Sequence, residues 1–73
     1  MSVLLTSETC APCKIVKQKI VENGWDVEVL DLNTSEGVAK ARQYSVRNVP
    51  TLITNDGVPL VGAENILKYL EGQ

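Results

Sequence analysis

The fold is decided by the stretch Cys10-Ala11-Pro12-Cys13, which contains the only two cysteines of the chain. Residues 3–6 form a strand-like run before it and predict a buried strand. Residues 14–22 follow it with apolar side chains at helical spacing and predict a helix. Two thiols on the first turn of a helix can close into a small disulfide and open again. The pattern therefore indicates electron-pair exchange with other thiols.

Size and composition indicate one small domain that spans residues 1–73. Apolar residues make up 44% of the chain, close to the globular average, so disorder is not expected. The net charge is −2 and the basic residues are scattered, which argues against a nucleic-acid partner. The longest apolar runs are three or four residues, far too short for a membrane span. The first residues lack the positive segment of a secretory signal, and we expect a cytoplasmic protein.

The number of cysteines separates a redox pair from a structural disulfide. Small secreted domains carry four or more cysteines spread along the chain as crosslinks. Here a single pair closes a very short loop, and the stabilisation that a disulfide provides grows with the length of its loop. A purely structural disulfide is therefore the weaker explanation, and a reactive pair is favoured.

The middle of the chain predicts a second strand and a second helix. Residues 26–32 alternate between apolar and polar side chains, which is typical of a strand. Residues 33–36 supply capping side chains and an acidic first turn for a helix over residues 35–44. Because a helix separates the first two strands, they should be parallel with a right-handed crossover.

The last third predicts a hairpin and a closing helix. Residues 51–54 and 58–61 are two short strands around the turn Asn55-Asp56-Gly57. Pro59 has no N–H to donate, so its strand should lie at a sheet edge. Residues 63–71 predict a helix with Ile66, Leu67 and Leu70 facing inward. The order β-α-β-α-β-β-α predicts an α/β fold with a four-stranded mixed sheet and helices on both faces.

Three segments resemble the thioredoxin/glutaredoxin superfamily. Cys10-Ala11-Pro12-Cys13-Lys14 resembles the thioredoxin Cys-Gly-Pro-Cys-Lys motif with alanine in place of glycine. Residues 44–52 resemble the segment that contains the cis-proline and starts the third strand, and residues 61–63 resemble the start of the last helix. The length of the chain is instead similar to that of glutaredoxins and small glutaredoxin-like redoxins. The resemblance implies the thioredoxin fold.

The resemblance also implies a role for each site residue. Cys10 is the nucleophile and Cys13 attacks second to release the reduced target. Pro50 is the counterpart of the cis-proline beside the disulfide, although an ordinary trans proline that starts a strand is the alternative. With Pro50 cis, the backbone of Val49 would pair with a substrate strand. The rim around it would consist of small residues, namely Ala11, Pro12, Gly62 and Ala63.

Charged and stiff residues near the cysteines are expected to tune the redox pair. Pro12, Lys14 and Pro50 are the candidates, and the Ala-Pro dipeptide, being closest to Gly-Pro, suggests a reducing protein. Glu8 would oppose a thiolate at Cys10 and Lys14 would favour it, and the sequence leaves open which of them is closer.

Several positions depart from the family pattern. Thr9 stands where thioredoxins carry tryptophan before the first cysteine. Thioredoxins also carry a buried aspartate, assigned as a proton acceptor, in the preceding strand. Residues 3–6 hold no carboxylate, so this chain has no counterpart of that aspartate. Ser7 stands where glutaredoxins carry a lysine that contacts glutathione. Gly62-Ala63 replaces their Gly-Gly pair, so the glutathione site is only partly present.

The resulting prediction is a monomeric dithiol–disulfide oxidoreductase with no bound cofactor other than the redox-active Cys10–Cys13 disulfide. The resemblance implies thioredoxin reductase or glutathione as electron source, and ribonucleotide reductase is a typical client of similar proteins. A glutathione-dependent glutaredoxin is the first alternative. A carrier of copper(I), zinc or a bridged [2Fe–2S] cluster is the second, and two cysteines would fill only half of a tetrahedral site.

Overall fold

The computed structural model describes all residues from Met1 to Gln73. The elements in chain order are β1 (Ser2–Thr6), α1 (Ala11–Asn23), β2 (Val27–Asp31), α2 (Ser35–Gln43), β3 (Thr51–Ile53), β4 (Pro59–Val61) and α3 (Ala63–Glu71). This is the order that the sequence predicts. None of the three helices has the length and apolar character needed to cross a bilayer.

The four strands form one mixed sheet in the order β2-β1-β3-β4. The strands β1 and β2 are parallel, whereas β3 runs antiparallel to both β1 and β4. All five residues of β1 are buried, as expected for a strand at the centre of a sheet covered on both faces. Pro59 pairs with Ile53 in the outermost strand, which confirms the predicted edge position.

Helices cover both faces of the sheet, as predicted. Leu4 of β1 faces α1 and α3, and the buried cluster on that side consists of Leu4, Val16, Ile20, Leu52, Ile66 and Leu70. Val3 and Leu5 point the other way, toward α2, because side chains alternate along a strand. On that side they pack with Ile53, Leu30, Leu32, Ala41, Tyr44 and Val46. Of the three residues expected inward on α3, Ile66 and Leu70 are buried and Leu67 is partly buried.

The helix α1 begins at Ala11, three residues before the helix-like run of residues 14–22, and its first turn carries the cysteine motif as the sequence predicts. Cys10 is its N-cap, and Pro12 in the first turn loses nothing because the N–H groups there lack partners within the helix. Gly24 ends the helix in the left-handed conformation, with φ of 63°. The helix therefore includes Cys13 and begins directly after Cys10.

Other boundaries differ from the prediction by one residue. The strand β2 ends at Asp31 because its carbonyl turns to accept hydrogen bonds from the backbone and side chain of Thr34. Thr34 also caps α2, and its Oγ1 accepts from the Gly37 N–H at 3.0 Å. The helix α2 ends at Gln43, with Tyr44 as C-cap instead of last helical residue. Gly57, with φ of 81°, completes a hairpin loop whose Thr54 and Val58 remain outside the strands.

Candidate active site

Cys10 and Cys13 are joined by a disulfide at the amino end of α1, with their Cα atoms 5.3 Å apart. The strand β1 leads to the disulfide and ends at Thr6, four residues before Cys10. The backbone N–H of Cys10 donates to the Ser7 carbonyl at 3.3 Å, which closes the turn between strand and helix. The site therefore lies at the junction between the central strand β1 and the helix α1.

The two sulfur-bearing residues differ sharply in exposure. Cys13 is fully buried, with 0% of its surface accessible, whereas Cys10 is partly exposed. The Cys10 Sγ accepts a hydrogen bond from the Cys13 backbone N–H at 3.2 Å. This N–H and the positive end of the helix dipole both stabilise negative charge on the Cys10 sulfur. The arrangement suits a reaction in which the Cys10 sulfur attacks first and the buried Cys13 sulfur attacks second.

The segment around Pro50 is tied to the start of α3. The Val49–Pro50 peptide bond is cis, as the resemblance implies, and Pro50 is buried. The Gly62 N–H donates to the Pro50 carbonyl at 3.0 Å, and Gly62 has a φ of 94° that favours glycine. Thr51 pairs with Val61 in the sheet. The predicted site residues Pro50 and Gly62 are thus directly linked.

The predicted rim residues are accessible to different degrees. Ala11 and Pro12 are exposed beside Cys10, and Val49, Gly62 and Ala63 are partly exposed. The sequence analysis did not single out Val61, an apolar side chain that is 49% exposed directly before Gly62. Its place at the end of the predicted edge strand, next to Gly62, was the signal available in the sequence.

Glu8 and Lys14, the two charged residues nearest to Cys10 in sequence, are both exposed. Water and salt screen the charge of each side chain at the sulfur. The polar group in direct contact with the Cys10 Sγ is the backbone N–H of Cys13.

No three or more His, Cys, Asp or Glu side chains come together as a metal-binding group. The two thiols alone would supply half of a tetrahedral coordination shell. A tetrahedral metal held by this pair would therefore need two further ligands.

Comparison with known proteins identifies the family. A probable thioredoxin of Archaeoglobus fulgidus is 36% identical over 82 aligned positions, which cover 99% of this chain and 90% of the relative. The chain belongs to the thioredoxin family. A thioredoxin of Methanocaldococcus jannaschii is 34% identical over 82% of this chain and 75% of its own length. No family model matches the chain.

Solved structures show the same fold. A crystal structure of a thioredoxin-like protein superposes with a TM-score of 0.75 at 25% identity, covering 96% of this chain and 99% of the other. Glutaredoxin C1 from Populus tremula x tremuloides gives a TM-score of 0.68 at 22% identity, covering 99% and 75%. Together with the cysteine pair in its disulfide form, the thioredoxin relatives establish a thiol–disulfide oxidoreductase.

Proposed function

We propose that this thioredoxin-family protein is a dithiol electron carrier that reduces disulfides in other proteins. The observation that supports this role best is the difference in exposure between the partly exposed Cys10 and the fully buried Cys13. A client disulfide can reach the first sulfur and is kept away from the second. Cys10 is therefore the nucleophile and Cys13 the resolving cysteine.

The reaction begins with the protein in its dithiol form. The Cys10 thiolate attacks one sulfur of the client disulfide, and the other client sulfur leaves with the electron pair of the broken bond. The Cys13 sulfur then attacks Cys10, and the bond between Cys10 and the client breaks. The products are the Cys10–Cys13 disulfide and a client with two thiols, so one electron pair has moved to the client.

The client strand would bind beside Pro50, where Val49 is partly exposed. Ala11, Pro12, Gly62 and Ala63 present small side chains there, so a partner backbone can come close to the sulfur. In the same proposal, Pro12, Lys14 and Pro50 tune the redox pair, Pro12 through the stiffness that it gives to the first turn of α1.

A serine at position 13 tests the assignment of the two cysteines. Cys13→Ser keeps the nucleophile but removes the resolving sulfur, so we expect a stable mixed disulfide between Cys10 and a client such as insulin. Mass spectrometry of the non-reduced complex detects it. The matched variant Cys10→Ser should form no such adduct, because Cys13 is buried. Adducts at Cys13 in place of Cys10 would overturn the assignment.

The electron source is proposed to be thioredoxin reductase, given the thioredoxin relatives. Glutathione is the second candidate, supported by likeness to glutaredoxin structures, among them a buckwheat glutaredoxin–glutathione complex with a TM-score of 0.68 at 20% identity. Insulin reduction coupled to thioredoxin reductase and NADPH, run beside glutathione with glutathione reductase, distinguishes them. We expect turnover in the first system because Ser7 replaces the lysine that contacts glutathione. Turnover only in the second would make the protein a glutaredoxin.

The proposed role includes a client, an oligomeric state and a cellular location. The protein would act as a single-domain monomer in the cytoplasm, with its redox-active disulfide as its only redox group and ribonucleotide reductase as a client. Light scattering of the reduced protein tests the monomer. Turnover of an oxidised ribonucleotide reductase with the reduced protein as sole donor tests the client. Co-purification of iron or copper with a dimer would favour the carrier alternative.

A further inference from the structure

The segment of residues 47–49, directly before Pro50, makes almost no hydrogen bonds within the protein. It belongs to no helix or strand, and no backbone-to-backbone hydrogen bond engages its N–H or carbonyl groups. Arg47 and Asn48 are exposed and Val49 is partly exposed, so water can satisfy these groups. The main chain of this segment is therefore available to the backbone of a partner.

A single side chain holds this segment to the sheet. The Thr51 hydroxyl donates to the Asn48 carbonyl at 2.6 Å, and this is the only hydrogen bond that residues 47–49 make within the protein. The bond spans Val49 and Pro50, which lie between its donor and its acceptor. The orientation of the segment therefore depends on Thr51.

Thr51 itself is firmly placed. It is 0% exposed, and it is the first residue of β3, which lies between β1 and β4. It pairs with Leu5 on one side and with Val61 on the other. A hydroxyl on a residue fixed by neighbouring strands on both sides is a rigid support for an exposed carbonyl.

The hydrogen bond at the Asn48 carbonyl also sets the direction of the Val49 N–H. The two groups belong to one peptide unit, which is planar and trans. In a trans peptide unit the N–H points opposite to the carbonyl. Since the carbonyl points toward the Thr51 hydroxyl, the Val49 N–H points away from it, and it has no partner in the protein.

We propose that Thr51 is a positioning residue that, through the Asn48 carbonyl, holds the Val49 N–H ready to pair with the backbone of a client. This inference rests on the proposed function, in which the client strand binds beside Pro50. Without the hydroxyl, the exposed Asn48 carbonyl bonds water instead and the segment gains freedom. A client must then order residues 47–49 when it binds, which costs conformational entropy.

The reactivity of the Cys10 sulfur does not depend on this hydroxyl. The donor to that sulfur is the Cys13 N–H, which belongs to α1. Loss of the Thr51 hydroxyl should therefore slow the reaction with a disulfide that lies in a peptide chain. A small disulfide that has no peptide backbone should react as before.

The isosteric variant Thr51→Val tests this difference, and its β-branched side chain suits a strand. The reduced protein is mixed with insulin or with the small aromatic disulfide dithiobis(nitrobenzoate), and the second-order rate constant is measured for each. We expect the insulin reaction to slow by about three- to tenfold, the factor that corresponds to one hydrogen bond. The reaction with the small disulfide should keep its wild-type rate.

Nitrogen-15 relaxation provides a second measurement that involves no client. In Thr51→Val the order parameters of the amides of Arg47, Asn48 and Val49 should fall, because their one hydrogen bond to the sheet is gone. Amides in β1 and α1 should keep their values. Unchanged order parameters at residues 47–49 would show that Thr51 does not hold the segment.

Two control variants separate the hydroxyl from packing and stability. Thr51→Ser keeps the hydroxyl but loses a buried methyl group, so it should unfold at a lower temperature and still reduce insulin at the wild-type rate. Thr54→Val removes a buried hydroxyl just after the other end of β3, where it accepts from the Val58 N–H at 3.1 Å. It should lower stability and leave both rate constants unchanged.

Failures of the two proposals differ in these experiments. If the wild type and Thr51→Val reduce insulin equally fast, the role of Thr51 is wrong while the proposed function stands. Equal slowing with both disulfides would also overturn it, because the effect would then lie at Cys10. So would a Thr51→Ser variant as slow as Thr51→Val, since the rate would then follow packing. If the wild type reacts with the small disulfide and leaves insulin intact, the proposed function itself fails, and this inference fails with it.

Discussion

At the scale of single residues, the chemistry of the site depends on two sulfur atoms in different surroundings. Cys10 is reachable from solvent, and its sulfur accepts a hydrogen bond from the Cys13 N–H. Cys13 is fully enclosed. Glu8 and Lys14 both lie in solvent, where water and salt screen their charges. Burial and a main-chain hydrogen bond are therefore the differences that support the proposed roles of the two cysteines.

The sequence left open whether Glu8 or Lys14 governs the Cys10 thiolate. Since both are exposed, we expect Glu8→Gln to raise and Lys14→Gln to lower the rate of Cys10 alkylation by iodoacetamide at pH 7, each by less than about threefold. Both effects should shrink in high salt. Mass mapping of the reduced protein measures the rate, with Glu71→Gln as a remote control. A tenfold change in either variant would mean that this side chain lies against the sulfur.

At the scale of elements, turns and helix caps determine where the helices begin and so where the cysteine pair lies. The helix α1 begins directly after Cys10 because that residue acts as N-cap. On the other side of the sheet, Thr34 links the end of β2 to the start of α2 through both its hydroxyl and its backbone. Gly37 makes this junction tight, since a Cβ there would overlap the Asp31 carbonyl.

The cap on α2 gives a prediction for stability. Thr34→Ala removes the acceptor for the Gly37 N–H and the donor to the Asp31 carbonyl, so we expect a loss of about 1 kcal/mol in the free energy of unfolding. Urea denaturation measures it. Thr34→Ser keeps the hydroxyl and should lose much less. Equal stability of the alanine variant and the wild type would show that the cap contributes nothing.

The element order and the edge strand could be predicted because they follow from local patterns, such as the alternation in β2 and the missing N–H of Pro59. The closing helix was predicted with its observed bounds, Ala63–Glu71. The apolar periodicity of α1 begins only after Cys13, so the start at Ala11 follows from the N-cap at Cys10 and from Pro12 in the first turn. The hydrogen bond from the Thr51 hydroxyl could not be predicted, since it depends on the path of the chain between α2 and β3.

At the scale of the whole molecule, stability comes from two apolar clusters on opposite faces of the sheet. Neither cluster contains a cysteine. The domain can therefore keep its fold while the disulfide opens and closes. This separation is what a protein needs if its redox bond is to be made and broken repeatedly.

Reduction should accordingly change stability only modestly. The Cys10–Cys13 bond closes a loop with a sequence separation of 3, so chain entropy limits its contribution to less than about 2 kcal/mol. Thermal unfolding followed by circular dichroism, with and without dithiothreitol, measures the difference. We expect both forms to be folded at 25 °C with cooperative transitions. Unfolding of the reduced protein at that temperature would contradict the separation of core and disulfide.

The donor to the Cys10 sulfur is a peptide group, and this has a consequence for selection and for engineering. A peptide N–H is present whichever side chains surround it, so substitutions on the outer surface leave it in place. Natural variation or protein engineering can change the charges around the cysteine pair to attract new clients or repel old ones. The Cys10 sulfur would keep its reactivity through all of these changes of client.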